Sequence, residues 1–175
     1  MKKIMEMLQN MKAKNEKKDN NGFSLVELII VIAIMAILVG IVGTQVLPYI
    51  NKSKEAKDLQ IINSYSTAAV SAYSMLAGEI TETTTPLEVD VYTDKSAADA
   101  DAATLTDKNK LADKIIDLTG YVAKTDLWDA TSKTGKMTSK EGQKITGIKI
   151  TYDFTHHTVT TEALGTKLDK VKADL

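Results

Sequence analysis

Hydrophobic and polar positions change their rhythm several times along this chain. Positions 1–22 are mostly polar, and from 28 to 51 there is no charged side chain. As a helix those 24 residues would span about 36 Å, against roughly 30 Å of bilayer hydrocarbon. Residues 28–42 are apolar on every face apart from the small Gly40, a membrane-like pattern rather than an amphipathic one. Further on, Leu59, Ile62, Tyr65, Ala69, Tyr73 and Leu76 recur every three or four residues. Residues 46–76 therefore continue the same helix with one dry stripe, and Gly78 is its expected stop. Residues 23–77 would make a rod about 80 Å long.

The periods then shorten. Residues 80–103 read as a surface loop holding one short strand at 87–92. Thr104 or Thr106 is placed to cap a helix over 107–118, with Leu111, Ile115 and Leu118 inward and Gly120 as its end. The clearest strand is 145–154, where Ile148, Ile150, Tyr152 and Phe154 alternate with Lys149, Thr151 and Asp153. Residues 158–162 are its expected hairpin partner, with His156 and His157 near the turn. Residues 121–128 suggest another strand, with Trp128, the only tryptophan, as a core anchor. In the stretch 162–175, Leu164, Leu168 and Val171 stand at helical spacing, which predicts a short amphipathic helix or a frayed end.

The expected fold is α+β: a long N-terminal helix spine, half for membrane or fibre and half amphipathic, packed on a small antiparallel β-sheet head. The expected division is a cytoplasmic leader at 1–22, a transmembrane or fibre-core helix at 23–50, and an extracytoplasmic head at 51–175 that includes the amphipathic half of the helix.

Charge orients this plan. Lys2, Lys3, Lys12, Lys14, Lys17 and Lys18 outnumber Glu6, Glu16 and Asp19 in the first 22 residues, which carry +3, while the remainder carries −4. The positive-inside rule keeps the basic segment in the cytoplasm and sends the C-terminal part outward. All 22 basic residues are Lys. Without the planar arginine fork that reads phosphates and guanines, no nucleic-acid role is expected for the head. There is no cysteine, so disulfides, thiol catalysis and thiolate zinc sites are excluded. An ordinary secretory signal peptide fits poorly, because 42–45 offers no small-x-small cleavage site after the apolar run.

Candidate chemistry in the head is sparse. It holds no nucleophile elbow, phosphate loop, HExxH or paired-carboxylate motif, so the expectation is a structural protein, not an enzyme, and one without a cofactor. Glu88, Asp90, Asp94, Asp99 and Asp101 invite calcium, yet they lack the spacing and Gly of an EF-hand loop and suit a solvated acidic loop better. His156 and His157, being adjacent, would point to opposite sides of a strand, which disfavours a shared metal.

The sharpest signal precedes the apolar run. Glu27 is a lone carboxylate at its rim, and such residues usually have a partner and a function. A cut between Gly22 and Phe23 would create an α-amine four residues from Glu27. With such helices side by side, one copy's Glu27 could neutralise its neighbour's terminal amine. The segment GFSLVELIIVIAIMAIL resembles the signature of type IV prepilins and related pseudopilins, over about residues 22–50. That resemblance implies cleavage by prepilin peptidase after Gly22, N-methylation of the new terminus Phe23, and Glu27 as the assembly carboxylate. It further implies a membrane-anchored precursor, then a helical homopolymer assembled by a platform protein and an ATPase. The long leader, the Phe and the lack of cysteine look most like major pilins of Gram-positive bacteria such as clostridia. Many pilins close their C-terminal region with a disulfide, a device missing here.

Pro48 removes a backbone donor and should kink or open the helix, while Gly40 and Gly43 weaken it just upstream. In related pilins a nearby stretch melts on assembly, so backbone mobility is expected between Gly40 and Pro48. The leading expectation is thus the major subunit of a type IV pilus used for adhesion, aggregation or surface motility. A pseudopilin of a type II secretion or DNA-uptake machine, or a minor pilin, would carry the same N-terminus.

Overall fold

The computed structural model describes residues 3, 5–6, 23–96 and 105–175. One helix, α1, runs from Leu25 to Met75, and its uncharged first half and striped second half follow the two periods of the sequence. The chain divides into two compact units, Met1–Val46 and Leu47–Leu175. In the first, the described side chains of α1 are exposed throughout.

In the second unit the helix buries Ile62, Tyr65, Ala69 and Ala72 on one face, with Leu59, Tyr73 and Leu76 half-buried at its border. The opposing layer is a four-stranded antiparallel sheet of β1 (Leu87–Asp90), β2 (Gly147–Asp153), β3 (Thr158–Leu164) and β4 (Val171–Asp174), in that spatial order. The α+β expectation holds: a long helix lies on a small antiparallel sheet.

Alternation decides which sheet face is dry. Ile148, Ile150 and Tyr152 of β2 point inward with Val89, Val159 and Ala163, and Phe154 extends the row past the strand end. On the wet face Lys149 pairs with Glu88, and directly opposite Lys149 stands Glu162. The Tyr152 hydroxyl donates to the Ala69 carbonyl at 3.0 Å, fixing the sheet against the helix with a buried polar contact that is satisfied. Rings of Tyr73, Tyr152 and Phe154 pack around that point, and Tyr65 stacks on Tyr121 at 5.8 Å.

Helix α2 spans Asp107–Thr119. Thr106 is its N-cap in a reciprocal box with Asn109, and Gly120, at φ 73°, takes the left-handed C-cap that a side chain would oppose. Its inner face is Leu111, Ala112, Ile115 and Ile116. Leu118, expected inward, is 42% exposed. At 100° per residue it falls about 90° from the centre of the buried arc.

Other expectations are corrected. The strand at 87–92 ends at Asp90, where residues 91–93 turn, although Val91 stays buried. The strand at 145–154 is shorter, Gly147–Asp153. No strand forms at 121–128; instead Lys124–Leu127 is a single helical turn, α3. Three polar residues in succession, Lys124, Thr125 and Asp126, break the alternation, and the Asp126 carboxylate accepts the Ala123 amide at 2.8 Å. Leu127, not Trp128, is the buried anchor there; Trp128 sits half-buried at the margin of the core. The tail is neither a helix nor frayed. Residues 162–164 belong to β3, Gly165 turns at φ 77°, and Val171–Asp174 pairs along β3 as the edge strand. An open row of β3 backbone groups favours the two-residue period of Val171 and Ala173 over the looser helical spacing.

Among the described residues the one buried carboxylate is Asp58, wholly inaccessible on α1. Its Oδ1 accepts the Thr138 amide and its Oδ2 the Ser139 amide, each at 2.9 Å. Gly142 fits against it so closely that a Cβ there would lie 2.1 Å from Oδ2. Asp58 thereby ties a loop 80 residues further on to the helix.

Candidate functional site: the start of the long helix

Helix α1 begins by a local rule. Ser24 is non-helical and its carbonyl accepts the Leu28 amide, the first turn of the ladder. The Ser24 hydroxyl accepts the Val26 amide at 3.3 Å, and the Glu27 carboxylate accepts the Ser24 amide at 2.9 Å through Oε2. Ser24-x-x-Glu27 thus has capping-box spacing, with Ser24 capping the second helical amide and Glu27, at the third helical position, closing back on the N-cap amide. A carboxylate in the first turn also meets the positive end of the helix dipole.

Two consequences follow for the sequence-derived site. Phe23 precedes the N-cap, outside the helix, and is 86% exposed. Glu27 engages the backbone one residue after Phe23. Glu27 and Phe23 thus stand at one end of α1. Gly22 lies outside the described residues.

Behind the cap, the side chains of residues 28–46 are exposed, among them Leu28, Ile32, Met35, Leu38 and Val42. An uncharged surface of this kind cannot rest in water. A window of this helix has a mean hydropathy of 3.2, and by length and composition the helix can cross a membrane. Neither Gly40 nor Gly43 has an atom within 4 Å of where a Cβ would stand. The helix continues through Pro48, and the Thr44 hydroxyl bonds back to the Ile41 carbonyl at 3.1 Å.

Chemistry elsewhere is structural in character. Among the described residues no three His, Asp or Glu side chains gather as a metal site; Asp99 and Asp101 of the acidic stretch lie outside them. His156 bonds through Nδ1 to Asp153 Oδ2 at 2.8 Å across the β2–β3 turn, where His157 adopts φ 51°.

Sequence reasoning missed Ser24 as the partner of Glu27, although the S-x-x-E spacing was there to be read. It also missed Asp58, for which no local pattern exists: a carboxylate on a helical stripe looks solvated until the loop covering it is known.

Residues 17–43 match the family model described as "Prokaryotic N-terminal methylation motif". No curated protein and no solved structure matches the chain.

Proposed function

Because the N-terminus is a prokaryotic N-terminal methylation motif of the type IV prepilin kind, we propose that this chain is the major subunit of a type IV pilus. The motif implies processing by prepilin peptidase and entry into pilus machinery. Cleavage between Gly22 and Phe23 frees an α-amine, which is then methylated. The precursor stays anchored by residues 23–50, with its basic leader in the cytoplasm and residues 51–175 outside. Extraction by an assembly ATPase and platform protein builds the homopolymer, which would serve adhesion, aggregation or surface motility.

The observation that carries this reading is the exposed, uncharged flank of α1 behind a capped carboxylate. In a bilayer, lipid covers that flank; in a fibre, neighbouring helices do. Glu27 cannot stay unpaired in either setting without a cost of several kcal/mol, about the price of breaking a buried ion pair. A neighbour's Phe23 amine supplies the countercharge. Gly40, Gly43 and Pro48 mark where the helix opens as the fibre forms, since Pro48 gives no amide hydrogen and each Gly costs about 1 kcal/mol relative to Ala.

Mass spectrometry of the protein sheared from cell surfaces tests the processing. The expected N-terminus is N-methylated Phe23; surface fibres that retain Met1 and the leader would contradict it. Immunogold labelling of long fibres supports the major subunit, whereas label confined to short envelope stubs would assign a pseudopilin.

A further inference from the structure

Beside α1, near the end of the uncharged run, lies a cavity of about 360 Å³. Leu47 and Ile50 give it apolar walls, and Lys54, Lys140, Thr138 and Gln143 give it polar ones. The two lysines are 86 positions apart in sequence, and Asp58 explains how they come to share it. Lys54 is one helical turn before Asp58 on the same face. Asp58 in turn holds the amides of Thr138 and Ser139, immediately ahead of Lys140.

Lys54 and Lys140 are both exposed, so their charges are solvated, and an anion entering the cavity would meet two cationic residues. Neither Lys54 nor Lys140 is in an ion pair among the described residues. The neighbouring acids are engaged elsewhere: Glu55 with the Asn51 amide group, Glu141 with Lys144, and Asp58 with its two backbone amides. The cavity thus suits a compact anion with an apolar body attached.

Its level along the helix says which. Leu47, Ile50 and Asn51 are the last residues of the uncharged run that also line the cavity, and the first lysines of α1 follow at once. On the membrane-anchored reading above, on which this step rests, that level is the outer boundary of the hydrocarbon. Phospholipid phosphates lie there with acyl chains just below. We propose that the cavity is a binding site for an anionic phospholipid, its phosphate between Lys54 and Lys140 and its upper acyl chain against Leu47 and Ile50. Bound lipid would hold the loop of residues 137–146 down on the bilayer in the precursor, and would have to leave when the subunit is extracted into a fibre.

The test uses the full chain reconstituted in vesicles of equal parts phosphatidylcholine and phosphatidylglycerol. Resistance to alkaline extraction reports insertion, and native mass spectrometry after mild detergent release reports retained lipid. The expected result is one retained phosphatidylglycerol, preferred over phosphatidylcholine. Lys54→Gln/Lys140→Gln should lose that retention by roughly tenfold or more, while Lys52→Gln/Lys57→Gln, outside the cavity, should keep it. Failure to insert would overturn the anchored reading itself. Normal insertion with no lipid preference in the parent chain would overturn the site alone, whatever the variant does. Equal losses in both double variants would reduce it to diffuse attraction, and full displacement by millimolar inorganic phosphate would make it a phosphate site without lipid; either outcome ends the proposal. If the cavity variants changed only self-association, a second copy of the chain would be the occupant and the lipid assignment would fall.

Discussion

The backbone amide of Ser24 donates to the carboxylate of Glu27 at 2.9 Å, so one acidic side chain both starts the long helix and stands ready at its tip. These two duties separate by substitution. Gln serves the third position of a capping box as Glu does, but carries no charge. Glu27→Gln should leave membrane insertion intact and still reduce fibre yield at least about tenfold, because an uncompensated buried charge costs about 3–5 kcal/mol. Ser24→Ala should instead cost the helix start about 0.5–2 kcal/mol and spare assembly. Quantitative immunoblots of sheared fibre against membrane fraction decide it. Parental fibre yield from Glu27→Gln would leave only the capping duty.

Asp58 is the counterpart inside the second unit. Replacing it by Ala orphans two buried amide donors, those of Thr138 and Ser139. Each orphan costs about 1–3 kcal/mol, so Asp58→Ala should destabilise the fold by roughly 2–5 kcal/mol in urea denaturation of the detergent-solubilised chain. Gly142→Ala should also destabilise, since its Cβ would press on the Asp58 carboxylate. A loss below about 1 kcal/mol for Asp58→Ala would mean that water takes over both amides.

What could be read in advance follows from how local each signal is. The uncharged run, the stripe through Ile62, Tyr65 and Ala69, and the alternation of β2 each depend on one element's own period, and each appears in the fold. The errors fall where a partner elsewhere decides or where a local cap overrides the period. Residues 171–174 became a strand because β3 presented a free edge, and the helical spacing of Leu164 and Leu168 could not foretell that. At 121–128 a side-chain cap at Asp126 overrode a β-like composition. Gly22, Phe23 and Glu27 stand out by local spacing and fall within the matched segment 17–43, whereas the cavity lined by Lys54 and Lys140 joins positions that only the tertiary fold brings together, beside the contact from Asp58 to Thr138, 80 residues on.

The β2–β3 turn should loosen in acid. Hydrogen bonds from the His156 side chain and from the His156 and Thr155 amides hold the exposed Asp153 carboxyl below its ordinary value. A depressed carboxylate contributes stability above the unfolded value, near 4, and loses it as pH falls through the lower folded value. Protection factors at Thr155 and His156, which remove the intrinsic pH dependence of amide exchange, should therefore fall below about pH 4 in the parent chain. In Asp153→Asn the same amides should be less protected at neutral pH, and their protection should change less in acid. Unchanged protection in that variant would assign the turn's order to the strands alone.

Alkali should act on the core through tyrosine. Tyr65 and Tyr92 share a hydroxyl–hydroxyl hydrogen bond, and burial, first among the causes, raises both, with Tyr92 pushed up to about 12. Burial likewise raises Tyr152, whose hydroxyl donates to the Ala69 carbonyl. In the unfolded chain each would ionise near 10. Between that value and the folded ones the unfolded state holds fewer protons, so stability present below pH 10 is lost progressively as pH rises. Urea midpoints should be flat across neutral pH and fall from about pH 10 upward. Tyr92→Phe should lower the unfolding free energy at neutral pH by about 1 kcal/mol, for the lost hydrogen bond, and flatten the alkaline decline, since one ionisable group fewer is released on unfolding. A decline as steep in Tyr92→Phe as in the parent would show that the alkaline sensitivity arises elsewhere, for instance at the Lys149–Glu88 pair on the wet face of the sheet.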